Sequence, residues 1–316
     1  MALSTRGHMP GPLGTSGGGL PSSSWLRYGP SLRWPGPVGL CLAPPVRLVE
    51  PGAILRVMPA TLRATALPLF GGQGPRPDEV IQGQVANSPL AAVLVAMAHA
   101  GPQMLCDMLT EHRAAVFSRL QSDPMWRWCT DRLYTVQFRS HAPVWLSSLL
   151  YHSADGRFMY ARTSNGVGWV SFIEKAYAVL RGSHSYNGLN DATPLHQPPS
   201  AHQVMDDLVG PHDVLDLSRN RVFFGNGREG ALRPTHLPHV VEQAGRLPTI
   251  AVSLDTNVPV PSIVARHGYG VLGVVGASNM VQLRYPSGGP DAHVVLSLTD
   301  FSRAFKAVLQ ATSDRP

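Results

Sequence analysis

Ser88 and Pro89 open the most apolar run of the chain, LAAVLVAMAHA. Ser favours the N-cap and Pro the first helical position, so the run reads as a helix from Pro89 to Ala100, ended by Gly101 and Pro102. A nucleophilic side chain in that place sits at the positive end of the helix dipole, which favours a developing anion. Peptide-bond chemistry there would also need an imidazole on a facing strand, a polar group to orient it, and amide donors for the oxyanion. Gln82 and His267 are candidates for two of those places. Taken singly, Ser88 reads as an N-cap, Gln82 as a turn residue and His267 as a loop histidine.

Other side chains capable of chemistry are less well supported. His236 and His239 in THLPHVVE have a spacing seen in metal sites, and His196, His202 and His212 precede them. No Cys or carboxylate cluster accompanies them and Pro238 interrupts a helix, so a solvated loop is expected rather than a zinc site. Trp126 and Trp128 flank Arg127, where core packing is a commoner fate than an exposed recognition patch. Cys106 and Cys129 are expected to be buried packing residues.

Several elements must position these groups. A helical segment from Gln103 to Arg119 should follow the first helix. LYTVQF, VWLSSLLY and RFMYAR then read as strands, and VGWVSFIEKAYAVLRG as an amphipathic helix closed by Gly182. A polar connection from Asp191 to Ser218 carries a short helix near Val204. RVFFG, TIAVSL, GYGVLGVVG, MVQLRY and HVVLSL are strand-like, and a helix from Thr299 to Leu309 ends the chain. Helices precede an antiparallel sheet, so the expected class is α+β with a cleft between halves. The expected units are a tail over 1–45 and a core over 46–316, with a helical part at about 69–190 and a β-rich part at about 191–316.

The run QGQVANSPLAA, preceded by LFGGQGPRPDEVI, resembles the nucleophile segment of the calpain family, which is papain-related. Three further stretches agree in order and spacing. WVSFIEKAYAVLRGS resembles that family's Glu-Lys-Ala-Tyr helix, RHGYGVLGV its histidine strand, and VQLRYPSGG its Leu-Arg-Asn-Pro-Trp-Gly segment; VVLSLTDFSRAF follows as the terminal piece. The resemblance covers about four-fifths of the chain and implies a papain-like cysteine-protease core. It places Ser88 at the nucleophile, His267 at the general base, Tyr285 at the orienting Asn, and Gln82 at the oxyanion hole. Asn87 stands for the family's Asp and Ser287 for its Trp. A thiol ionises readily beside an imidazole, whereas a serine hydroxyl does not. With Ser88 and Tyr285 both out of pattern, the expectation is a homologue impaired in peptide hydrolysis that acts through its cleft or surface. An active endopeptidase captured as a Cys→Ser variant, or using Ser88 itself, is the alternative; an unrelated protein-interaction module is a third.

Composition limits the partners. The chain of 316 residues has a net charge of +6, but Arg6, Arg27, Arg33 and Arg47 precede the first acid, Glu50. Without those four, 22 Lys+Arg face 20 Asp+Glu, a net of +2, so no nucleic-acid partner is expected. A protein or peptide in the cleft is. No apolar run approaches the roughly 18 residues of a membrane span. The first 45 residues, rich in Gly, Pro and Ser, are expected to be disordered. Their Pro and Gly density opposes a transit peptide, and no cleavable secretory signal is evident. Three cysteines without CxxC spacing favour a reducing, cytoplasmic compartment, delivery by a non-classical route being the alternative. No cofactor or metal is expected. Calcium would enter by family analogy alone, since no EF-hand loop is present.

Overall fold

From Leu90 to Ala98 no side chain is polar, so a helix there can be stable only where it is enclosed on every side. In the computed structural model this is what occurs. Helix α1 (Ser88–Ala100) buries each of those nine residues. The structure describes residues 50–52, 60–113, 132–190, 197–217, 234–276, 280–288 and 292–313. The expected tail, the expected strand RVFFG, and Cys41, Trp126, Arg127, Trp128, Cys129 and His196 lie outside the described residues.

Gly101 donates its N–H to the Met97 carbonyl and ends α1; Pro102 starts α2 (Pro102–Met108). The helix expected up to Arg119 stops earlier. Leu109–Arg113 is strand β3, paired antiparallel with β4 (Arg132–Val136). β-Branched Thr110 faces Thr135 there, and the ladder satisfies backbone groups that a longer helix would have paired internally. β5 (Val144–Ser147) completes this three-stranded sheet. The expected strand VWLSSLLY breaks at Ser148, whose carbonyl accepts the N–H and hydroxyl of Thr65. Beyond the break, β6 (Leu149–His152) pairs with β1 (Thr61–Ala64). Of RFMYAR only Arg162 joins a strand, β7 (Arg162–Thr163), which pairs with β2 (Val80–Ile81).

Helix α3 (Trp169–Arg181) is not amphipathic in place: Trp169 to Ala178 are all buried, Glu174 and Lys175 included. Lys175 is tolerated because its ammonium lies 2.6 Å from Glu50 and donates to the Ser147 and Leu149 carbonyls. The short α4 (Asn187–Asn190) follows.

In the second half, α5 (Ala201–Leu208) is capped by Ser200, which accepts from the Gln203 N–H. The connection expected to be irregular then forms strand β8 (His212–Asp216). THLPHVVE is helical rather than a loop, with a 3-10 turn at Pro234–His236 and α6 over Leu237–Gln243. Pro238 falls in the first turn of α6, where a missing N–H costs nothing. Strands β9 (Thr249–Ser253), β10 (Gly268–Val275), β11 (Met280–Arg284) and β12 (His293–Ser297) come next. The expected terminal helix ends early, as α7 (Leu298–Ala304), and Phe305–Ala311 is strand β13. Two ladders, to β9 and β8, hold β13 inside an antiparallel six-stranded sheet of order β12-β11-β10-β9-β13-β8.

The class is therefore α+β with antiparallel sheets. Strands occur in the first half as well, and helices in the second. The larger apolar core includes α1 and α3 together with Val204, Leu208, Ile250 and Leu309, so it runs across residue 190. A second core lies under α6 and α7, around Val240, Tyr269, Leu283 and Phe301. Among the described residues no single helix is long and apolar enough to cross a membrane.

Candidate functional site

The site begins where α1 meets β10. Gly268 and Gly270 let the helix backbone approach the strand. A Cβ on Gly268 would lie 3.0 Å from the Ser88 carbonyl oxygen, and one on Gly270 would lie 2.3 Å from Val95 Cγ1. No larger residue fits at Gly270 without movement.

Ser88 is the first residue of α1, not its N-cap; Asn87 takes that place. The Asn87 carbonyl accepts the N–H groups of Leu90 and Ala91. Its side chain does not cap the helix but donates to Glu174 Oε1 at 2.8 Å. The Ser88 side chain, 3% exposed, accepts the Gly268 N–H at 3.1 Å. The hydroxyl thus joins helix to strand one residue from His267.

His267 is half-buried. Its N–H donates to Ser253 Oγ and its carbonyl accepts the Ser253 N–H, which fixes the backbone. Its Nδ1 lies 2.7 Å from the Ala265 carbonyl oxygen. A carbonyl only accepts, so Nδ1 carries the proton and Nε2 the lone pair. The orienting contact is therefore made by the backbone of the preceding loop. Tyr285 meets the imidazole as a ring, edge-on, with centroids 5.4 Å apart. It also stacks on Tyr269, with centroids 5.1 Å apart. Burial raises the Tyr285 phenol above its ordinary value, so it stays neutral.

Gln82 reaches the same place from α1's entry loop. Its N–H donates to the carbonyl of Pro286, next to Tyr285, at 2.6 Å. Its side-chain amide donates to the Val85 carbonyl at 2.7 Å. One of its two amide hydrogens is thus committed to the loop itself. Gly83 lies against the backbone of Tyr160 and Ala161, where a Cβ would come within 2.2 Å. The structure therefore brings the neighbourhoods of Ser88, Gln82, His267 and Tyr285 together, through contacts made by them or by residues adjacent to them.

Glu174 was not among the sequence candidates, yet it underlies this place. It is fully buried and accepts from Asn87 Nδ2 through one oxygen and from the Ala161 N–H, at 2.7 Å, through the other. It therefore ties the start of α1 to the wall that Gly83 leans on. Burial pushes its pKa up to about 7, although both hydrogen bonds pull the other way. The signal in the sequence is Glu174-Lys175 in a run otherwise apolar on several faces.

The remaining candidates lie elsewhere. His236 and His239 are exposed, and His239 Nε2 pairs with the Gln243 amide. Among the described residues no group of three or more His, Cys, Asp or Glu is placed to hold a metal ion. Cys106 is half-buried rather than buried, and desolvation, then Asp107, raises its thiol pKa. No protein-family model and no curated protein matches this chain.

Proposed function

We propose that this chain is a homologue of calpain-like, papain-related proteases that does not hydrolyse peptides and acts by binding a protein or peptide at the surface around Ser88 and His267. The observation that carries this reading is the state of the Ser88 hydroxyl. It is buried and already accepts a backbone N–H from Gly268. A hydroxyl in that position is a strut between α1 and β10. A nucleophile instead needs a lone pair directed at substrate and a base within reach of its proton. Two neighbours support the same conclusion. Tyr285 offers an aromatic ring to the imidazole rather than an amide, and one Gln82 amide hydrogen is committed to the Val85 carbonyl.

The test is incubation with casein and with a mixed peptide library, comparing the chain with Ser88→Ala. The expected result is no cleavage by either. Cleavage by the parent and none by Ser88→Ala would overturn the proposal. Ser88→Cys with a thiol-reactive peptide electrophile separates a Cys→Ser variant of an active enzyme from a decayed site. The expected result is no labelling at position 88, because the side chain there is buried against the Gly268 N–H, Tyr285 supplies no amide to the imidazole, and one Gln82 amide hydrogen is spent on the Val85 carbonyl.

A further inference from the structure

In AHQVMDDL the apolar residues Val204, Met205 and Leu208 share one side of α5. His202 and Asp206, four residues apart, share another. A turn through Gly210, at φ +105°, and Pro211 then delivers His212 as the first residue of β8. The two imidazoles meet at this corner, with His202 Nδ1 3.2 Å from His212 Nε2. His212 Nδ1 lies 3.1 Å from the Gly210 carbonyl oxygen and 3.3 Å from Asp206 Oδ1. Both of those groups accept, so Nδ1 carries the proton and Nε2 its lone pair. It follows that His202 donates Nδ1–H to His212.

We propose that the His202–His212 pair is an acid-sensitive latch that holds the edge strand β8 to the end of α5. One added proton is tolerated: whichever ring takes it, the other can still present a lone pair to the N–H between them. A second proton leaves neither ring with a lone pair. Two N–H groups of two cations then face each other across the former hydrogen bond, and the corner opens. The surroundings make this step costly. His202 is exposed, yet it is in the first turn of α5, where the helix dipole disfavours a cation, and partial desolvation followed by the charge of His212 lowers its pKa. Arg139 lies against Gly210 and donates to the Val209 carbonyl, adding a fixed positive charge. Asp206 opposes them but is half exposed, which screens it. Asp213 follows on β8, and Asp207 is turned away to Arg181, His141 and Tyr177.

His212 is also where the edge is weakest. It pairs with Ala311 at the end of the β8–β13 ladder, followed by the N–H and hydroxyl of Thr312, both of which donate to the Pro211 carbonyl. Opening the latch frays β8 from that end and uncovers the edge of β13, with the remaining sheet intact.

Amide hydrogen exchange of the full chain between about pH 7 and about pH 5, corrected for the intrinsic rate, tests this. The expected result is a loss of protection of at least roughly tenfold over 212–216, with α1 and β10 unchanged. His202→Gln/His212→Gln should abolish the loss. His202→Gln alone, which keeps an N–H donor and removes one titrating ring, should reduce it if the double variant does not fold. The proposal fails if β8 keeps its protection at acid pH, if the variants lose protection as the parent does, or if α1 and β10 lose it in step with β8.

Discussion

At Ser88 and Tyr285 two side chains that could have served chemistry serve packing and backbone pairing. The hydroxyl accepts the Gly268 N–H, and the phenol ring fills the space between His267 and Tyr269. Ser88→Ala should therefore act on stability alone. Leaving the buried Gly268 N–H without an acceptor should cost about 1–3 kcal/mol, read as a shift of the urea midpoint at unchanged slope. Glu174 makes the opposite case, a carboxyl whose titration is felt in the fold. Its pKa is about 7 in the folded chain against an ordinary 4.5, so between those values the native state holds a proton that the unfolded chain has released. Stability from this group is greatest below about pH 4.5, falls as pH rises, and levels off above about pH 7. At roughly 1.4 kcal/mol per pH unit the fall is at most about 3 kcal/mol. Glu174→Gln should remove this slope. Denaturant unfolding of both proteins at several pH values checks it, and a constant difference between them would refute the assignment.

At the level of elements, the α1–β10 contact depends on two absent side chains. Gly270→Ala places a methyl 2.3 Å from Val95 Cγ1, so the Val95 side chain or the helix that carries it must shift. The expected destabilisation is about 1–3 kcal/mol or more, and Val95→Ala in the same chain should recover a good part of it. Failure of that rescue would mean that the glycine is needed for something other than proximity. This contact also separates what the sequence could disclose from what it could not. An unbroken apolar run makes α1 legible, whereas Gln82, Ser88, His267 and Tyr285, taken singly, read as turn, cap, loop and strand-end residues and are grouped only by the resemblance. The close approach left only Gly-Tyr-Gly as its trace. Phe305–Leu309 reads as helix because its apolar residues fit either period, and only the strands on both sides decide for β13. Leu109–Arg113 also depends on a partner, β4, that is remote in sequence. Glu174 is not legible as a buried group because a Glu-Lys pair ordinarily marks a solvated face.

Across the whole molecule, the larger core spans both halves, and Asp207 of α5 provides a polar fastening over the same junction. It is 3% exposed and accepts from Tyr177 on α3 and from two nitrogens of Arg181, with His141 Nε2 at 2.9 Å. Burial alone would raise its pKa; the bonds from Arg181, His141 and Tyr177 outweigh burial and hold it below the ordinary carboxylate range. A depressed carboxyl contributes stability above its unfolded pKa, and that contribution is lost as pH falls through the folded value. The sign is thus opposite to that of Glu174, and together the two groups predict greatest stability at mildly acid pH. Asp207→Asn keeps the shape, loses the charge and leaves the Arg181 guanidinium, about a third exposed, without its carboxylate. Because water can reach that cation, the cost should be about 1–3 kcal/mol, below the 3–5 of a fully buried pair. If Asp207 fastens α3 to α5, loosening it should lower the exchange protection of both helices together. If it stabilises α5 alone, α3 should keep its protection. Exchange measured on Asp207→Asn distinguishes the two, and the four bonds converging from α3 and the 139–141 turn predict the joint loss.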